Sequence, residues 1–172
     1  MDPEQYDWST FDLVFYYRQP IDIVFQAWAT SAGLETFFIE TAVYRGALGD
    51  PRPPDEAATA GDRYEWQWRH DASLDGRVTG VEAGRAIAFT FGDMQVAITL
   101  SEIDQRTELH LRQTNIPDTD RGRVLGHLNC RSCWIFFLTN LRSVLEAGLD
   151  LRDSRPDLVS SMEVGFEALS RH

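Results

Sequence analysis

His127-x-x-Cys130-x-x-Cys133 places three potential metal ligands at helical spacing. On a helix, positions i, i+3 and i+6 fall within about a third of the circumference, so an imidazole and two thiolates could converge on one ion. A structural zinc, however, usually draws four ligands from two separate knuckles, and the chain has no second such cluster. A redox Cys-x-x-Cys belongs at a helix N-terminus, where thiol pKa falls; these thiols sit a few turns in. The expectation is two buried thiols, no metal and no cofactor.

The other polar candidates lie on strands. His110, in Leu109-His110-Leu111-Arg112, has the opposite parity to its leucine neighbours. It points outward if the leucines face a second layer. It points inward, beside Glu108 and Arg112, if the sheet curls round a cavity. Arg69 and His70 close a Trp-rich run, where cation–π packing would account for the arginine. His127 and Asn140 flank an aromatic helix stripe, as hydrogen-bonded core or rim residues. There is no G-x-S-x-G, P-loop, G-x-G-x-x-G or H-E-x-x-H motif, so no catalytic residue is assigned.

The elements that must position these groups can be traced in order. Phe11 to Tyr17 alternates like a strand. Pro20 opens a helix whose Ile21, Val24, Phe25 and Trp28 share a face, and Ser31 can cap a second short helix with Leu34, Phe37 and Phe38. The stretch Gly46 to Gly61, rich in prolines and acids, reads as an exposed, mobile loop able to gate a pocket mouth. Strand-like runs follow at Asp62–Arg69, Gly76–Val81, Ala86–Phe91, Gln95–Ile103 and Thr107–Thr114. Ala83-Gly84, Gly92-Asp93 and Asp104-Gln105 punctuate them as turns. A meander without interposed helices implies an antiparallel sheet.

From His127 onward, His127, Cys130, Trp134, Phe137, Leu141 and Val144 share one stripe of a helix about two dozen residues long. Arg131, Arg142 and Glu146 fall opposite, with Gly148 as the stop and Pro156 beyond. The fold class is therefore α+β. A curved antiparallel sheet of six to seven strands wraps a helix at about residues 122–147, and two short helices at 20–38 close one end. Tyr64, Trp66 and Trp68 share a strand face, as do Ile87, Phe89 and Phe91, and Val96, Ile98 and Leu100. Residues 1–152 form one domain. The extension 153–172, with Leu158, Val159, Met162, Val164, Phe166 and Leu169, packs on that domain or on a second copy, the latter giving a homodimer.

Composition narrows the function classes. All 16 basic residues are arginine, against 27 acids, for a net charge of −11. Such a surface disfavours nucleic acid, whose phosphates need clustered basic charge. No run approaches the ~20 apolar residues of a membrane span. The start lacks the blocks of a secretion signal, so a cytoplasmic address follows by default.

The segment Cys133 to Glu146, continued by Gly148-Leu149-Asp150-Leu151-Arg152, resembles the C-terminal helix signature of the activator of Hsp90 ATPase homologue-like family, within the START-like (SRPBCC, Bet v 1-like) superfamily. Val24-Phe25-Gln26-Ala27-Trp28, Phe37-Phe38, Gly61-Asp62-Arg63-Tyr64-Glu65-Trp66, Gly76-Arg77-Val78 and Thr107-Glu108-Leu109 support it. The resemblance spans about residues 11 to 152. Cys133 departs from it, since the family usually has Gly before the Trp.

The resemblance implies a helix-grip fold with an apolar cavity between sheet and C-terminal helix. Strand parity and the helix stripe select Trp28, Phe38, Tyr44, Trp66, Trp68, Phe89, Phe91, His110, Trp134 and Phe137 as its lining. The leading function is then binding of a small hydrophobic molecule. A second is a stress-related or chaperone-linked interaction protein. Eukaryotic activators of the family carry an additional N-terminal domain that engages the chaperone, and 172 residues leave no room for one, which argues against a chaperone partner. A third is a cyclase- or aromatase-like enzyme on a hydrophobic substrate.

Overall fold

The computed structural model describes residues 5–69, 71–155, 157–158 and 160–166. Sequence expectations for His70, Pro156, Val159 and Leu169 fall outside them. Seven strands form one antiparallel sheet: β1 (Phe11–Tyr17), β2 (Thr41–Arg45), β3 (Arg63–Gln67), β4 (Ser73–Glu82), β5 (Ala86–Phe91), β6 (Met94–Ile103) and β7 (Arg106–Thr114). Their order is β1-β7-β6-β5-β4-β3-β2, a meander whose last strand pairs with the first. The unforeseen strand is β2. It holds only five residues, but Ala42 and Tyr44 alternate inward along it.

Helices α1 (Ile21–Ala29) and α2 (Ser31–Phe37) follow β1. Pro20 precedes α1 as its N-cap. Thr30, not Ser31, caps α2. Thr30 stands in extended conformation and its Oγ1 accepts the Gly33 N–H at 3.0 Å, whereas Ser31 is already helical. Such a cap contributes about 1 kcal/mol.

The long C-terminal helix begins as a π-helical stretch, Gly122–Asn129, and continues as α3 (Cys130–Ala147). Gly148 ends it in the left-handed conformation, φ 66°, which costs a residue without Cβ little. A short helix, α4 (Ser161–Val164), packs back against α3.

One core lies between the sheet's inner face and the helices. Trp66, Phe89, Ile98, Leu109 and Leu111 supply it from the strands, and Trp28, Leu34, Phe37, Leu138 and Leu141 from the helices. The sheet curls tightly at β3–β4, where the Tyr64 ring lies over Gly76. A Cβ there would stand 2.4 Å from that ring. The register of β4 on β5 also shifts between Val78 and Gly80, a bulge that bends the strand.

The loop from Gly46 to Gly61 is irregular and mostly exposed, as its composition predicts, yet it is closely tied down. Arg52 is hydrogen-bonded to Asp62, Glu56 and Thr59, and its backbone N–H donates to Tyr44. Ala58 is buried and donates its N–H to the Ala29 carbonyl at the end of α1.

Candidate functional site

A cavity of about 320 Å³ opens between the sheet and the start of the long helix. Phe38 reaches it from the end of α2, Trp68 and Ala72 from the turn after β3, and Phe91 and Met94 from the β5–β6 hairpin. The opposite wall is Leu125, Gly126 and Asn129 of the π-helical stretch with Cys130, Cys133, Trp134 and Phe137 of α3. Glu163 and Val164 of α4 close the rim.

The lining rings brace one another. Phe38 meets Trp68 at 5.4 Å, Trp134 at 5.0 Å and Phe137 at 4.9 Å between centroids; Phe91 meets Trp134 at 5.4 Å and Trp68 at 6.5 Å. Several of these contacts are edge-to-face, the arrangement favoured by ring quadrupoles. Rigid rings held this way cannot collapse into the space beside them.

Gln113 of β7 sets the orientation of Trp134. It is fully buried, its Oε1 accepts the indole N–H at 2.8 Å, and its Nε2 donates to the Gly126 carbonyl at 2.9 Å and to Met94 Sδ at 3.1 Å. One amide thus joins the sheet, the π-helical stretch and the aromatic wall. The reading of the sequence missed it. The signal was parity, since Gln113 shares the inward face of Leu109 and Leu111.

Of the residues selected from the sequence, Phe38, Trp68, Phe91, Trp134 and Phe137 border the cavity. Trp28, Tyr44, Trp66 and Phe89 lie deeper, in solidly packed core. Trp28 stacks on Phe89 at 6.4 Å and Trp66 on Tyr64 at 3.9 Å. The Tyr44 hydroxyl is spent on the Trp28 carbonyl at 3.3 Å, and burial pushes its pKa up. His110 stands on the outer face opposite Val14, where its Nε2 meets Asp12 at 2.7 Å. Inward Leu109 and Leu111 force that direction on it.

The His127, Cys130 and Cys133 set is split. Cys130 and Cys133 border the cavity. His127 is buried among Tyr6, Trp8 and Phe11, with Nε2 2.7 Å from the Tyr6 hydroxyl and Nδ1 3.1 Å from the Trp8 carbonyl. A carbonyl only accepts, so Nδ1 carries the proton and Nε2 accepts from Tyr6. Burial holds its pKa below the ordinary 6.5. The π-helical stretch, with i→i+5 bonding, breaks the 3.6-residue stripe that had aligned the three. No cluster of three or more His, Cys, Asp or Glu able to hold a metal occurs among the described residues.

Asn140 belongs to a latch rather than to the cavity. Its Nδ2 donates to Phe37 O at 2.8 Å and Asp150 Oδ1 at 2.9 Å, and its Oδ1 accepts Leu151 N–H at 2.7 Å. Arg152 adds bonds of 2.8 Å to Ile39 O and Glu35 O, clamping the chain after α3 to the end of α2. Burial pushes the Asp150 carboxyl up, but hydrogen bonds from Arg152 and Asn140 outweigh it and hold the pKa low. Arg69 joins this cluster through Asp150, at 3.6 Å, and the Asp153 carbonyl. The 46–61 loop contributes nothing to the lining among the described residues, so it does not gate this mouth. Its ties to Ala29 and Ala32 hold it beside α1 and α2 instead.

No curated protein matches the sequence. The fold is similar to a Staphylococcus saprophyticus protein at TM-score 0.65 and 22% identity, covering 84% of this chain and 98% of that one. It is also similar to an Aha1 dimer from Colwellia psychrerythraea (0.63, 17%, 81% and 97%) and to an HSP90 activator from Plasmodium falciparum (0.58, 20%, 80% and 96%). Identities this low carry the fold alone. Among the described residues no helix is long and apolar enough to cross a membrane. A family model adds what the structural likeness cannot, because residues 18–146 match the one described as activator of Hsp90 ATPase homolog 1-like protein. With the helix-grip fold and three-quarters of the chain matched, the protein belongs to that family.

Proposed function

We propose that this chain binds a small hydrophobic molecule in the cavity between the sheet and the C-terminal helix. The observation that carries this reading is an unfilled space of about 320 Å³ walled by Phe38, Trp68, Phe91, Trp134 and Phe137. Ligand pockets are concave, chiefly apolar and furnished with a few fixed polar groups; here those are Asn129 and Glu163. A volume of about 320 Å³ lies at the lower end of the roughly 300–1,000 Å³ of small-molecule pockets, and covering an apolar ligand there would remove apolar surface from water at roughly 25 cal/mol per Å². The lining is chiefly apolar and aromatic, which supports binding as the first reading. A native mass spectrum of the purified chain should show a co-purifying hydrophobic ligand, or saturable uptake of an added apolar probe with altered Trp fluorescence. Neither occurring would remove this reading.

A second reading is favoured by the family match and by the Plasmodium relative: a stress-related, cytoplasmic partner of an Hsp90-type chaperone. Stimulation of a purified chaperone ATPase by the chain would support it. The dimeric Colwellia relative makes a homodimer the assembly to look for, by light scattering.

A further inference from the structure

The cavity wall carries two thiols, and they are set in a different register from His127. Cys130 and Cys133 both lie within α3, past the π-helical stretch, so ordinary α-helical spacing holds between them. Residues three apart on such a helix are surface neighbours, with Cβ atoms roughly 5–6 Å apart. Both border the same cavity, both are half-buried, and neither is in a disulfide. Asn129, one turn before Cys133, donates its Nδ2–H to Cys133 Sγ at 3.9 Å, while its Oδ1 accepts the Phe166 N–H at 2.6 Å. Trp134 follows Cys133 directly in the wall, and its indole is fixed by Gln113.

Sulfur ligands are soft donors and select soft centres. A structural zinc takes four protein ligands, and two sulfurs leave it half-coordinated. Trivalent arsenic makes three bonds, which two sulfurs and one carbon complete. We infer that Cys130 and Cys133 form a bidentate site for an organic compound of trivalent arsenic, whose aryl or alkyl group lies in the cavity against Trp134, Phe137 and Phe38. With an arsine oxide, RAs=O, both S–H bonds and the arsenic–oxygen bond break and two As–S bonds form. The oxygen leaves as water with the two thiol protons, and arsenic and sulfur keep their oxidation states. This rests on the ligand-binding reading of the cavity, and the test separates the two.

The full-length reduced chain is titrated with phenylarsine oxide, with N-phenyl-1-naphthylamine as the neutral apolar probe of the cavity, by following Trp and probe fluorescence. One equivalent of the arsenical should consume both thiols in a thiol assay and displace the naphthylamine, and excess dithiothreitol should reverse it. Cys130→Ser and Cys133→Ser should each weaken arsenical binding roughly a hundred-fold, because the second As–S bond forms intramolecularly. Naphthylamine binding should persist in both variants, which shows that they fold; Cys130→Ala and Cys133→Ala replace them if serine unsettles these half-buried positions. A single variant that binds the arsenical as tightly as the parent chain overturns the bidentate site. An adduct that leaves the naphthylamine in place overturns it too, since the arsenic is then held outside the cavity. Naphthylamine binding without arsenical uptake overturns the arsenical assignment and leaves hydrophobic binding standing. If neither compound binds, the ligand-binding reading falls with it.

Discussion

Phe137 stands where packed core turns into cavity wall. Its ring meets Phe38 edge-on at 4.9 Å and Phe136 at 5.2 Å, yet it also faces the empty space. Truncating a fully packed Phe costs about 3–5 kcal/mol, much of it for the cavity created. At this position part of the cavity already exists. Phe137→Ala should therefore cost less than that range in urea denaturation, while the affinity for an apolar probe changes markedly. A loss within the full range, with probe affinity unchanged, would mean that Phe137 supports the core and not the site. Trp66 lies one layer deeper, and its indole N–H is buried without an acceptor among the described residues. The Trp134 N–H, by contrast, is met by Gln113. The difference explains why one indole is held as a precise wall and the other serves as filling.

At the scale of elements, α4 borders the cavity with Glu163 and Val164. Helix α4 has only four residues, too few to persist without tertiary support. It is held by the Ser160 cap, by the Glu163 bond to Asp153 N–H, and by Asn129 Oδ1 accepting the Phe166 N–H at 2.6 Å. Removing the chain from Asp157 onward deletes Glu163 and Val164 from the rim but leaves the Asn140–Arg152 latch intact. The truncated chain should melt a few degrees lower and take up an apolar probe faster in stopped-flow fluorescence. Unchanged uptake would show that the tail does not limit entry. The 46–61 loop illustrates the opposite case. Its prolines and acids predicted motion, but the Arg52 cluster and the buried Ala58 tie it to its neighbours.

For the whole molecule, pH acts through groups whose folded pKa is displaced. His127 is held neutral by burial, so its pKa is lower in the fold than the ordinary 6.5. Unfolded chains take up the proton first as the pH falls. Stability from this group is complete above about pH 6.5 and declines below it, until the folded imidazole also protonates. Asp62, Glu146 and Asp150, whose pKa values are lowered by their hydrogen bonds and arginine neighbours against the pull of burial, extend the loss into the acid range below their ordinary values. Denaturation midpoints measured from pH 7.5 to 5 should fall, and His127→Gln should flatten that part of the curve. An equal slope in the variant would assign the effect elsewhere.

What the sequence determined by itself was the architecture and the direction of nearly every core side chain. Periods of two and 3.6 report burial directly, because each inward residue must repeat with the geometry of its own element. That reading recovered β1, the β3–β7 meander, α1 and the end of the long helix at Gly148. Its limits lay where neighbours distant in the chain decide the outcome. Parity placed Trp28, Trp66 and Phe89 inward but could not separate packed core from cavity wall, since that depends on how far α2 and α3 stand from the sheet. His110 was resolved only by what packs behind Leu109 and Leu111. Gln113, the Asn140–Asp150–Arg152 latch and the rim position of Glu163 join residues 10 to 117 apart, and the π-helical register parted His127 from its thiols. Periodicity carries no record of such meetings; only the tertiary structure decides them, because their geometry is set by how the elements pack.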